Sequence, residues 1–214
     1  MAQQGNGKEG RRGRRVSAGA RRKKILEAAL DVFLAEGYVA TRMDHVAARA
    51  GVAKGTIYVH FADKEALFRS LIHEEIGPVI AGGATLAASF EGSTRELLQA
   101  LATVMQRELL GTQRADILRL VISEAPRFPW LAEFYWQEVV SRGMALIRAV
   151  AARGVERGEI TPDSLQRFPQ IVVAPLLVSV IWQALFDTFE PLDTDAFLDS
   201  YINMMMRGLG CETA

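Results

Sequence analysis

Residues 41–61 read TRMDHVAARAGVAKGTIYVHF, and the spacing within them decides the fold. Ala47, Gly51 and Ile57 stand four and then six residues apart. A helix-turn-helix needs that arrangement. The small Ala47 lets a second helix cross closely. Gly51 tolerates the positive φ of a tight turn. Ile57 plugs the space between the two helices. The second helix can then lie in the major groove of DNA while the first crosses the backbone.

Upstream, Ile25, Leu26, Ala29, Leu30, Phe33 and Leu34 recur at three- and four-residue spacing, which predicts one helix with an apolar stripe. Gly37 is its expected C-terminal cap. Thr41-Arg42-Met43-Asp44 reads as a capping box for a short helix ending at Gly51. A third helix is expected from about Lys54 to His60 with Ile57 inward. Asp63 then caps a longer helix, which Gly77-Pro78 interrupts or kinks and Gly82-Gly83 weakens.

Downstream the pattern stays helical. Ser93-Thr94-Arg95-Glu96 is a second capping box, opening a helix to Leu110. Helices are expected over 113–125, 130–157 and 169–189, and from Asp193 or Thr194 to Gly208. No strand pattern and no internal repeat emerges. The predicted fold class is all-α: a three-helix helix-turn-helix domain at the N-terminus and a larger helical effector-binding and dimerisation domain.

The charge is uneven. The 214 residues carry 25 basic and 25 acidic side chains. Residues 1–24 alone hold a charge of +8, with Glu9 their only acid, so the remainder sums to −8. A polyanion partner for the N-terminal part follows. Residues 1–20 are expected to be a disordered basic arm. The lone cysteine, Cys211, makes no intrachain disulfide and fits a reducing cytoplasm, the expected location. The longest apolar run, Ile171–Trp182, falls short of the roughly 20 residues of a membrane span.

The stretches AGVAKGTIYVHFADKEALF, residues 50–68, and KKILEAALDVFLAEGYVATRMDHVAARA, residues 23–50, resemble the signature of TetR/AcrR-family transcriptional regulators. The resemblance covers residues 21–76, about a quarter of the chain. It implies a DNA-binding domain over 21–66, a ligand-binding and dimerisation domain over 67–214, and a homodimer. Carried over residue by residue, it implies DNA contacts from Thr41, Arg42, Lys54, Gly55, Thr56, Tyr58, His60 and Lys64. Ala53 departs from the Ser that caps this helix in many relatives, and a weaker cap is expected. Lys54 and Lys64 each open a helix, where a cation is locally unfavourable unless an anion such as phosphate sits nearby.

For an apolar or aromatic effector, the candidate residues are Glu124, Phe134, Tyr135, Trp136, Trp182 and Phe186. Glu108, Asp116, Arg119 and Gln183 are further polar candidates. Val172, Leu176, Val180 and Leu185 lie along the penultimate helix, and Phe197, Tyr201, Met204 and Met205 along the last. Paired with their symmetry mates, these two helices would make a four-helix dimer interface, where the family places its dimer.

His45, His60 and His73 lack metal-site spacing, and HEE at 73–75 is not a zinc motif because position 77 is Gly. No nucleophile set or phosphate-cradling loop stands out. No catalytic residue, metal or cofactor is assigned. The reading is a non-enzymatic repressor released from a palindromic operator by a small ligand. The alternatives are control by a protein partner, activation, or a helical enzyme or lipid-binding protein with a vestigial N-terminal domain.

Overall fold

The computed structural model describes residues 18–161 and 164–209, and among these every regular element is helical. The chain divides into two compact units between Leu71 and Ile72. Residues 1–17 of the expected arm, Pro162, and Cys211 lie outside the described residues. Residues 18–20 are not arm: Ala18 opens the first helix, as strong helix-forming alanines favour.

The first unit holds α1 (Ala18–Ala40), α2 (Met43–Ala50), α3 (Lys54–His60) and the start of α4 (Lys64–Ser89). The predicted stripe on α1 is buried: Ile25, Leu26, Ala29, Leu30 and Phe33. Phe33 stacks on Tyr38 at 5.7 Å and meets Phe68 edge-on at 5.1 Å. Truncating an aromatic ring this enclosed costs about 3–5 kcal/mol. Gly37 breaks α1 at φ 75°, where the sequence places a cap. Gly51 takes φ 63°, ψ 38° and closes α2. A β-carbon at Gly51 would only touch Lys24 at 3.6 Å, so strain in the left-handed region, not crowding, is what requires glycine there.

The Thr41–Asp44 capping box does not form. Arg42 is the N-cap of α2 and gives no side-chain cap bond. The Thr41 hydroxyl instead turns back and donates to the Gly37 carbonyl at 2.7 Å, closing the turn after the glycine break. Asp63 does cap α4, accepting from the Ala66 N–H at 2.7 Å.

The second unit holds the rest of α4, then α5 (Thr94–Leu109), α6 (Gln113–Glu124), α7 (Pro129–Tyr135), a π-helical turn (Trp136–Val140), α8 (Ser141–Glu156), α9 (Ser164–Arg167), α10 (Gln170–Leu185) and α11 (Thr194–Gly208). Helix α4 runs through Pro78 without ending. An interior proline costs about 3 kcal/mol. Ile72, Ile76 and Val79 are buried at four- and three-residue spacing across it, and that packed face holds the helix together. The Ser93 capping box is present in full. The expected single helix over 130–157 contains the π turn, in which the Ser141 N–H reaches back five residues to the Trp136 carbonyl. Helix α10 ends at Leu185, short of Phe189. Asp193 caps α11 through the Ala196 N–H at 3.1 Å. One core gathers Leu97, Leu98, Val150, Ile202 and Met206, and a second gathers Leu109, Ala115, Leu118, Leu176 and Val180.

Candidate nucleic-acid interface and ligand cavity

The helix-turn-helix follows from three buried residues. Ala47, Ala50 and Ile57 are enclosed where α2 meets α3, and the Val52 N–H closes the turn on the Ala47 carbonyl at 3.0 Å. With Ile57 inward, the rest of the seven-residue α3 is turned outward. Lys54, Gly55, Tyr58 and Val59 are exposed, and Thr56 and His60 are half-buried. Arg42 is exposed at the start of α2. No cap bond comes from Ala53, as expected. Val59 is 81% exposed and was not singled out from sequence. Its signal was an apolar side chain on the outward face of a helix too short to bury two faces.

Three of the expected contact residues have partners within the chain. Thr41 is only 2% exposed and its hydroxyl is spent on backbone carbonyls, so it is a turn residue rather than a surface one. Lys54 already has an anion: its ammonium sits 2.8 Å from the Asp44 carboxylate. That hydrogen bond holds the Asp44 carboxyl below its usual range and raises the Lys54 ammonium. Lys64 donates to the Tyr38 carbonyl at 2.6 Å and the Val39 carbonyl at 3.1 Å, and lies 4.5 Å from the Tyr38 ring centroid. Burial first, then Glu65 and Asp63, push the Tyr38 phenol up to about 12. Both lysines therefore have partners within the chain, which sequence spacing could not reveal.

The second unit contains a cavity of about 480 Å³. Aliphatic side chains from α4, α5, α6, α8, α10 and α11 make most of its wall, among them Val79, Leu101, Val121, Met144, Leu176 and Ile202. Tyr135 enters from the end of α7, and burial pushes its phenol up to about 12, so it is neutral at physiological pH. Glu108 and Arg114 are the two charged residues among the described lining. No group of described residues is arranged to hold a metal ion. No described helix is long and apolar enough to cross a membrane.

Residues 25–71 match the family model for bacterial regulatory proteins of the tetR family, and residues 91–204 match the tetracyclin repressor-like C-terminal domain. The chain is a TetR-family DNA-binding transcriptional regulator. An HTH-type transcriptional regulator of Mycobacterium tuberculosis is 30% identical over 145 residues, 68% of each chain. The transcriptional activator FasR of Mycolicibacterium smegmatis is 39% identical over 72 residues, 34% of this chain. That match spans a third of the length of FasR. The crystal structure of FadR from Bacillus subtilis in complex with stearoyl-CoA aligns with a TM-score of 0.70 at 21% identity, over 87% of this chain and 98% of that one. At that identity the likeness shows the shared fold.

Within this regulator the cavity takes only Tyr135 from the six ligand candidates. Phe134 is buried against His73, ring centroids 5.5 Å apart. Trp136 is exposed. Successive helical residues point about 100° apart, so three aromatics in a row cannot share one wall. Trp182 donates to the Glu190 carbonyl at 2.7 Å and meets Phe186 edge-on at 5.2 Å, apart from the cavity lining. Glu124 also lies outside that lining. Of the further polar candidates, Glu108 lines the cavity, and Asp116, Arg119 and Gln183 do not. On α10, Leu176 and Val180 are buried in their own chain, and Val172 lines the cavity. Of the residues expected at an interface, Leu185 and Met204 are exposed, and Leu177, Val178 and Ile181 extend the exposed stripe of α10.

Proposed function

We propose that this regulator is a repressor that binds a palindromic operator as a homodimer and is released by a small apolar ligand. The observation that carries the ligand-responsive part is the aliphatic cavity, whose 480 Å³ lies within the usual range of small-molecule sites. Its presence counts against control by a protein partner alone. FadR of Bacillus subtilis, seen with stearoyl-CoA, is a relative in fold whose ligand also has a long apolar chain.

Arg42, Lys54, Gly55, Thr56, Tyr58 and His60 would face DNA, with Lys64 holding the end of α1 in place beside them. Lys54 would exchange Asp44 for a phosphate. Each α3 would enter one major groove, with half-sites about 34–36 Å apart. The exposed stripe of α10 and Met204 of α11 would meet a second copy, which removes apolar surface that a monomer would leave in water. Helix α4, whose residues fall in both units, is the proposed lever. Release requires that the ligand bind one conformer better than the other.

Gly143 gives a direct test. It lines the cavity, and a β-carbon there would meet nothing within 4 Å. Gly143→Leu should fold and bind operator but resist release by any ligand that frees the parent. Release of the variant at the parent's ligand concentration would overturn the role of the cavity. Activation is a second reading, favoured by the naming of FasR as an activator. A promoter reporter separates the two by the sign of its response.

A further inference from the structure

The polar end of the cavity is already neutralised from within. The Arg114 guanidinium donates to the Glu108 carboxylate at 3.0 Å and to the Glu108 carbonyl at 3.0 Å. It also donates to the Glu75 carbonyl at 2.8 Å, with the Glu75 carboxylate 3.6 Å away. The Arg107 guanidinium also lies 3.2 Å from the Glu108 carboxylate, so two carboxylates and two cations pair with one another and leave this end no net charge and no spare cation. Elsewhere the described lining carries no charge, and its polar side chains are Tyr135, Gln170 and Tyr201. The Tyr201 hydroxyl is committed to the Ile171 carbonyl at 2.5 Å. A ligand anion would find no cation to pair with, and burying an unpaired charge is strongly unfavourable.

The wall chemistry narrows the class further. Tyr135 and Tyr201 are the aromatic residues in the described lining, and leucine, isoleucine, valine and methionine dominate the rest. Such a wall offers conforming aliphatic contact rather than flat stacking surfaces.

We infer that the cavity takes an uncharged aliphatic molecule, such as a long-chain alcohol or ester, and that the Glu108–Arg114–Glu75 cluster rejects the corresponding free carboxylate. This rests on the cavity being the ligand site proposed above. Glu108 is the gate residue of that discrimination. Without its charge, Arg107 and Arg114 together face Glu75 alone, and Arg114 can turn a donor toward an incoming carboxylate.

Isothermal titration calorimetry without DNA, at pH 7, compares 1-dodecanol, methyl laurate and laurate on the full chain and on Glu108→Gln. Dodecanol and methyl laurate should bind the parent, and laurate should bind at least about tenfold more weakly. In Glu108→Gln the preference for dodecanol over laurate should shrink by about fivefold or more, as expected when one nearby like charge is removed. Unchanged dodecanol affinity in the variant shows that it is folded. Equal binding of laurate and dodecanol to the parent, no binding of either neutral ligand, or an unchanged preference in the folded variant would each overturn the inference. Because no DNA is present, binding without operator release would leave the inference standing and count against the regulatory reading instead.

Discussion

Single residues in the first unit show how far charge pairing can be read from a sequence. Two lysines opening helices pointed to an anion, and for Lys54 the anion in the free protein is Asp44, 2.8 Å away. A surface pair of this kind contributes little to stability, so a phosphate can displace it cheaply. Lys54→Ala should therefore weaken binding to all duplexes alike and make the dependence of log affinity on log salt shallower by about one. An unchanged salt slope would show that Lys54 stays with Asp44 on DNA. Ala47, Gly51 and Ile57 were legible because their roles depend on size and backbone conformation. Thr41 was misread because its hydroxyl had two uses of similar local appearance, a forward cap or a backward bond, and the break at Gly37 selected the second.

At the level of elements, the caps at Asp63, Ser93 and Asp193 and the α1 stripe carried over, and continuity did not. The start of α5 is held by two carboxylates. Hydrogen bonds from the Ser93 N–H and hydroxyl keep Glu96 below its usual range. Burial pushes Glu159 up, but bonds from the Thr94 N–H at 2.5 Å and from Arg157 at 2.7 Å outweigh it and hold its carboxyl low. Both groups are lowered on folding, so their contribution is complete above the ordinary value of 4.5 and is lost as pH falls through the lowered values. The melting temperature should fall below about pH 4.5, and Glu159→Gln should flatten that fall. A parallel decline in parent and variant would contradict the assignment. Pro78 and the π turn were unreadable for one reason: local signals predict breaks, and buried faces on both sides of a break can override them. The cavity was invisible for a related reason, since its wall draws one or two residues per turn from many helices.

For the whole molecule, the account requires two copies. Ile181 is 43% exposed within the exposed stripe of α10. Ile181→Asp should halve the mass measured by analytical ultracentrifugation and abolish operator binding while leaving the helical content unchanged. A parent that sediments as a monomer at micromolar concentration would remove the proposed dimer. The α10 residues expected at an interface divide, with Leu176 and Val180 buried in their own chain and Leu185 exposed, because apolar residues cover more than one face there and periodicity alone cannot say which face the chain keeps for itself.

The central claim is that paired α3 helices read a two-fold symmetric DNA site. Selection of bound fragments from a random duplex pool, at near-physiological salt, tests it most directly. The account predicts enrichment of a palindrome with half-sites about 10 base pairs apart, centre to centre, and loss of that enrichment for Tyr58→Ala. Recovery of unenriched DNA, with binding abolished by a modest rise in salt, would contradict it.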